Sequence, residues 1–177
     1  SGSTILDVAA GTGDFCREAR KIGLVPFATD LSFGMMDAGG DFAPRTQADA
    51  AHLPFIDGAF DGLTCGYALR NFTDLAESIR EMGRVVRPGG RIVFLEVAEP
   101  KRGLWKLGFT IWFRGVVPLI GGLLADRQAY GYLPKSTAYL PATRDIIQMM
   151  NDAGMSTVNH RLILGGLSQQ FIATKAL

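Results

Sequence analysis

The stretch Leu6-Asp7-Val8-Ala9-Ala10-Gly11-Thr12-Gly13-Asp14-Phe15 constrains this chain more than any other. Ile5, Leu6 and Val8 suit a buried strand. Gly11 and Gly13 then allow backbone angles that a Cβ resists, and they let a ligand come close to the main chain. From Asp14 to Ile22, the residues Phe15, Ala19 and Ile22 fall on one helical face. A strand, a Gly-x-Gly turn and a helix in this order aim unsatisfied N–H groups at whatever sits above the turn.

The neighbouring residues narrow what that ligand is. A dinucleotide turn wants glycine or alanine three residues after the second glycine, and Cys16 stands there. No Gly-Lys-Ser/Thr follows, so a P-loop is excluded. Asp14 at the helix start disfavours a pyrophosphate and suits a cationic ammonium, which Asp7 can also serve from the strand end. These features favour a nucleoside cofactor with a positive charge, S-adenosylmethionine.

Two later segments agree. Val25 to Ala28 reads as a second strand, and Asp30 at its tip can accept from both ribose hydroxyls. Leu31 and Met35 or Met36 can cover an adenine face. Alternatively, Asp30 only caps a helix starting near Ser32. In Ala48-Asp49-Ala50-Ala51-His52-Leu53-Pro54-Phe55, Asp49 sits where a third strand ends and can accept from the adenine amino group. The bland alternative is a polar loop.

Strands are expected over 4–9, 25–29, 45–48, 60–67 and 90–97, with helices over 14–22, 32–39 and 73–86. This alternation predicts an α/β, Rossmann-like fold with a mostly parallel sheet. In the last helix Thr73 is the expected N-cap, Leu75, Ile79, Met82 and Val86 form the apolar stripe, and Pro88-Gly89-Gly90 is the stop. Residues 101–140 break the pattern and read as an apolar insertion over the sheet. A helix over 142–152 and an antiparallel pair over 158–164 and 169–174 close the chain. At 177 residues the chain suits one domain: a cofactor half over 1–100, a lid or substrate insertion over 101–140, and a closing unit over 141–177.

A formal net charge of +1 gives no nucleic-acid footprint. Lys101, Arg102 and Lys106 form a small basic cluster, a solvated face or a contact for anionic headgroups. Cys16 and Cys65 are too few for a disulfide scaffold, and His52 and His160 lack ligand spacing, so no metal site is expected. No secretory leader pattern is visible, which makes the cytoplasm the expected location. The apolar run from Leu104 to Ala125 is broken by Arg114, Pro118 and Gly121-Gly122, and reads as two short helices rather than a membrane span.

Taken together, the motifs resemble the UbiE/MenG-type class I S-adenosylmethionine-dependent C-methyltransferases of menaquinone and ubiquinone biosynthesis. The glycine turn and the Pro-Gly-Gly piece are shared by many methyltransferases. Leu69-Arg70-Asn71-Phe72, Pro118-Leu119-Ile120-Gly121-Gly122 and Tyr130-Gly131-Tyr132-Leu133-Pro134-Lys135-Ser136 are more particular. The resemblance implies a seven-stranded sheet with an antiparallel C-terminal strand, and methyl transfer to a ring carbon of a prenylated quinol. It implies cofactor contacts from Thr12, Asp30, Asp49 and Ala50. With the turn itself, the candidate cofactor set is Asp7, Ala9, Gly11, Thr12, Gly13, Asp30, Leu31, Met35, Asp49, Ala50 and Gly66. The family often has a small hydroxyl residue where this chain has Gly66. It also carries a helical segment before the first strand, whereas this sequence opens almost at that strand.

For the chemistry, Arg70 is the candidate stabiliser of a developing phenolate, because its guanidinium stays charged and donates several hydrogen bonds. Asn71 is the candidate for orienting a second oxygen. Tyr67, Tyr130 and Tyr132 are candidate acceptor contacts. The competing assignments are a surface Arg70 paired with Asp74 and tyrosines that only pack the core. No general base is apparent near the fourth strand. Trp105, Phe109, Trp112 and Phe113 can line a groove for a prenyl tail, touch a membrane surface, or form a homodimer contact. Two other functions fit the same fold: methyl transfer to oxygen or nitrogen of a small molecule, and a non-catalytic quinone- or lipid-binding scaffold.

Overall fold

A computed structural model describes residues 2–98 and 140–177. The insertion over 101–140, with Tyr130, Tyr132 and the aromatic run from Leu104 to Ala125, lies outside these described residues save for Leu140. The elements are β1 (Thr4–Val8), α1 (Asp14–Lys21), β2 (Val25–Asp30), α2 (Phe33–Ala38), β3 (Arg45–Gln47), β4 (Phe60–Gly66), α3 (Leu75–Arg84), β5 (Val86–Val97), α4 (Thr143–Asp152), β6 (Met155–Ile163) and β7 (Ser168–Lys175). Two short 3₁₀ turns, Leu69–Asn71 and Leu164–Gly166, complete them.

The seven strands form one sheet in the order β3-β2-β1-β4-β5-β7-β6. β1 through β5 pair in parallel, and β7 runs antiparallel to both β5 and β6. The strand order reverses between β1 and β4, and ligands of open α/β sheets bind outside the carboxyl ends of the strands at such a point. The central strands are apolar because helices cover both faces: Leu6, Leu63, Ile92 and Phe94 pack with Ile79 and Met82 of α3 and Ile146 and Met150 of α4. A smaller cluster of Ala10, Cys16, Ala28, Met36, Phe42 and Ala43 seats α1 and α2. β6, at the sheet edge, keeps most of its residues at least partly exposed.

Several boundaries differ from expectation. Asp74, not Thr73, caps α3: its Oδ1 accepts from the Glu77 N–H at 2.9 Å. The helix ends at Arg84, and Val86 opens β5 opposite Phe60, so Val86 is a strand residue and Pro88-Gly89-Gly90 lies within the strand's start. Pairing with β4 outweighs the helical spacing of Val86. Ile22 follows the last turn of α1 and is exposed.

Arg84 anchors the segment between β3 and β4. Its guanidinium donates to the carbonyls of Leu53 and Phe55 and to the carboxylates of Asp57 and Glu81. This fixes Leu53-Pro54-Phe55 directly after Asp49, while the Phe55 ring meets Phe60 edge-on at 5.0 Å.

Candidate active site

The turn after β1 takes its shape from two left-handed glycines, Gly11 at φ 53° and Gly13 at φ 85°. A Cβ on Gly13 would stand 2.3 Å from the Phe42 ring, so glycine is required by packing as well as by angle. Arg17 stacks over that ring at 5.5 Å and donates from Nη1 to the Thr12 carbonyl at 2.6 Å. Its Nη2 reaches the Gly39 carbonyl at 3.3 Å, which ties the turn to the end of α2.

Asp30 knits the turn to the second strand. Its Oδ2 accepts from the Gly11 N–H and its Oδ1 from the Ser32 N–H, each at 2.8 Å. Ser32 is the N-cap of α2, accepting from Met35. Asp30 therefore does more than cap: it also holds the glycine turn. Asp49 is held in turn by the Ala51 N–H, which donates to its Oδ1 at 3.0 Å.

A cavity of about 360 Å³ opens at the carboxyl ends of β1, β2 and β4. Ala9, Gly11, Asp30, Leu31, Met35, Asp49, Ala50 and Gly66 of the expected cofactor set line it, together with Tyr67 and Asn71 of the acceptor set. Met35, half exposed, takes this place, while Met36 is buried in the smaller cluster. Val8, Thr29, Ala48, Ala68, Phe72 and Thr73 also line the cavity and went unrecognised in the sequence. Val8, Thr29 and Ala48 sit at or just past strand ends beside recognised residues, whereas Ala68, Phe72 and Thr73 flank the 3₁₀ turn Leu69–Asn71 and carried no local signal. The Thr29 hydroxyl is buried with no hydrogen-bond partner among the described residues.

Three expected cofactor residues do not line the cavity. Thr12 and Gly13 shape the turn from outside it. Asp7 is a correction of a different kind. It has no exposed surface; its Oδ1 accepts from the Thr64 hydroxyl at 2.8 Å, and its Oδ2 from the Cys16 thiol at 3.6 Å. Burial pushes its carboxyl up to about 7, so Asp7 braces the turn from below rather than meeting a ligand cation. Burial also raises the Cys16 and Cys65 thiols, which leaves both unreactive near neutral pH.

The competing assignment of a surface Arg70 paired with Asp74 is the second correction. The Arg70 side chain is almost fully buried and absent from the cavity lining, and Nη1 pairs with Oε1 of the fully buried Glu96. The Arg70 N–H also donates to Glu96 Oε2 at 3.3 Å. Among the described residues the guanidinium therefore meets the end of β5 rather than Asp74. This pair fixes the 3₁₀ turn Leu69–Asn71, which presents Asn71 to the cavity. Among the described residues no group of three or more His, Cys, Asp or Glu is placed to hold a metal, and no helix is long and apolar enough to cross a membrane.

Comparison with known proteins agrees with this geometry. The model of the ubiE/COQ5 methyltransferase family matches residues 1–175. A demethylmenaquinone methyltransferase of Roseiflexus castenholzii is 42% identical over 167 residues, covering 89% of this chain and 70% of the relative. A ubiquinone/menaquinone biosynthesis C-methyltransferase of Geotalea uraniireducens is 34% identical, covering 98% of this chain and 79% of its own. Among solved structures, a putative methyltransferase in complex with the Haloferax volcanii Trm112 activator superposes with a TM-score of 0.74 at 14% identity, covering 100% of this chain and 84% of that one. A Haemonchus contortus phosphoethanolamine N-methyltransferase superposes with a TM-score of 0.71, also at 14% identity, over 100% of this chain and 49% of its own.

Proposed function

Because the chain belongs to the ubiE/COQ5 methyltransferase family, we propose that it transfers the methyl group of S-adenosylmethionine to a ring carbon of a prenylated quinol. The observation that carries this reading is the charge of the cavity. Among its described lining residues are two carboxylates, Asp30 and Asp49, and no lysine, arginine or histidine. Such a lining suits ribose hydroxyls, an adenine amino group and a cationic ligand. It is ill suited to a pyrophosphate, which calls for donors and positive charge. When bound, the cofactor supplies a methyl group already activated on a sulfonium.

The residues then divide the work by position. Asp30, rigid between Gly11 and Ser32, accepts from the ribose hydroxyls with its remaining lone pairs. Asp49 accepts from the adenine amino group, and Leu31 and Met35 cover the adenine face. Tyr67 and Asn71, on the opposite wall, hold the quinol ring, with Asn71 orienting one ring oxygen. The Arg70–Glu96 pair acts as a positioning device for that wall. Holding the nucleophilic carbon in line with the methyl group supplies about 7–11 kcal/mol of the barrier reduction. The apolar run from Leu104 to Ala125 carries, in sequence, the aromatic side chains that a prenyl tail and a peripheral membrane contact require.

The test is methyl transfer from labelled S-adenosylmethionine to short-tailed demethylmenaquinol and to a short-tailed demethylated ubiquinol precursor. Transfer to either ring carbon supports the reading and selects the quinol. Cofactor binding by calorimetry without transfer to either, but with transfer to a small soluble phenol or amine, would replace it. Absence of cofactor binding would favour a scaffold.

A further inference from the structure

Tyr67 stands directly after β4 with φ 58°, a left-handed conformation uncommon outside glycine. It is kept there by its N–H, which donates to the Leu95 carbonyl at 2.7 Å. Strained backbone retained at a cavity wall points to a role for the side chain that the strain directs. The Tyr67 side chain spans from the cavity to the start of β7, where its hydroxyl lies 3.2 Å from Ser168 Oγ.

Hydrogen accounting orients this pair. Two hydroxyls share one hydrogen bond, and between them they carry two hydrogens. Ser168 is 5% exposed and makes no other side-chain hydrogen bond among the described residues, so its hydrogen has only the Tyr67 oxygen as a partner. Tyr67 is 39% exposed and faces the cavity. The arrangement that leaves no buried donor unmet is Ser168 donating to Tyr67, which leaves the Tyr67 hydrogen available to a ligand. Ser168 is itself rigid. It pairs with Val97 across the β5–β7 ladder, and the adjacent Gln169 donates to the Val97 carbonyl at 3.2 Å.

We propose that the Tyr67 hydroxyl is a catalytic hydrogen-bond donor to the quinol oxygen that carries negative charge once its own proton has passed to solvent, before the ring carbon attacks the methyl group, and that Ser168 is its positioning residue. This rests on the methyl-transfer reading above. A donor already oriented toward that oxygen favours the charged, nucleophilic form of the ring and needs no reorganisation when the proton leaves. The assignment adds a donor to the wall that the Arg70–Glu96 pair positions.

The experiment is steady-state methyl transfer to short-tailed demethylmenaquinol kept reduced with dithionite, with cofactor affinity measured in parallel by calorimetry. Tyr67→Phe should lower kcat about 10- to 100-fold, the worth of a hydrogen bond to a charged group, while the cofactor Kd stays within about twofold. Ser168→Ala should lower kcat in the same direction by a smaller factor, and Ser168→Thr, which keeps the hydroxyl, should restore it. Unchanged kcat in Tyr67→Phe with an active parent protein overturns the inference alone. Loss of cofactor affinity in proportion to kcat also overturns it, by making Tyr67 a structural wall. A parent protein that binds cofactor but never methylates the quinol overturns the methyl-transfer reading and this inference with it.

Discussion

The ring of Phe15 occupies the space that a side chain on Gly66 would need: a Cβ built on Gly66 would stand 2.1 Å from Phe15 Cε2 and 2.8 Å from Cζ. The first turn of α1 and the end of β4 are thus fitted to each other across the cavity floor. A hydroxyl residue at position 66 requires the Phe15 ring to move from its place in this packing. Gly66→Ser should therefore destabilise the fold by about 1–3 kcal/mol, the usual cost of overpacking, and weaken cofactor binding as Phe15 is displaced. Adding Phe15→Leu should recover a large part of both losses. Urea denaturation of the four proteins measures the coupling, and strictly additive effects would show that the two positions do not compete.

Asp30 serves two backbone donors and a proposed ligand at once. Asp30→Ala should weaken S-adenosylmethionine binding about 10- to 100-fold, the worth of charge-assisted hydrogen bonds. Asp30→Asn, which keeps one carbonyl acceptor, should fall between. Calorimetric titration decides, and an unchanged Kd in Asp30→Ala would remove Asp30 from the cofactor site.

Asp7 makes stability depend on pH in an unusual direction. Burial pushes its carboxyl from 3.8 up to about 7. Between these values the folded chain keeps a proton that the unfolded chain releases, so the folded state binds more protons and stability falls as pH rises through this window. The full loss, complete above about pH 7, is about 4 kcal/mol at most. Asp7→Asn keeps an acceptor for Thr64 and removes this slope. Its stability relative to the parent should rise between pH 5 and 8, which urea midpoints across that range will show. Parallel profiles would place the Asp7 pKa near its ordinary value.

The Arg70–Glu96 pair separates folding from chemistry. Arg70→Ala leaves a buried carboxylate without its guanidinium, which should cost about 3–5 kcal/mol. Arg70→Ala with Glu96→Gln should regain more than half of that, because the stranded charge is gone. If turnover also returns in the double variant, Arg70 acts by position. If stability returns while turnover does not, the guanidinium has a direct part in catalysis.

Much of the cavity wall is written locally. The Gly11–Gly13 turn, Asp30 at the tip of β2 and Asp49 after β3 each follow from short-range rules of turn geometry and strand ends, and all sit where those rules put them. All of the expected strand and helix segments within the described residues survive with shifts of a few residues at their ends. The clearest exception, Val86, keeps helical spacing with Ile79 and Met82 but is drawn into β5 by pairing with Phe60. Propensity along a helix is a weak preference, and a ladder bond to a central strand outweighs it.

The sequence by itself determined the α/β alternation, the glycine turn and the acids that line the cavity, because each depends on residues close together in the chain. Only the tertiary structure decided what the charged and hydroxyl groups meet. Arg70 finds Glu96, Tyr67 finds Ser168, Asp7 finds Thr64, and Phe15 takes the room beside Gly66. All of these partners but the ring of Phe15 belong to other strands, and every pair but the Phe15–Gly66 contact turns on electrostatics and desolvation at distances that chain spacing does not encode. The same four letters in the same order would read identically with their groups exposed, whereas burial turns them into the frame of the site.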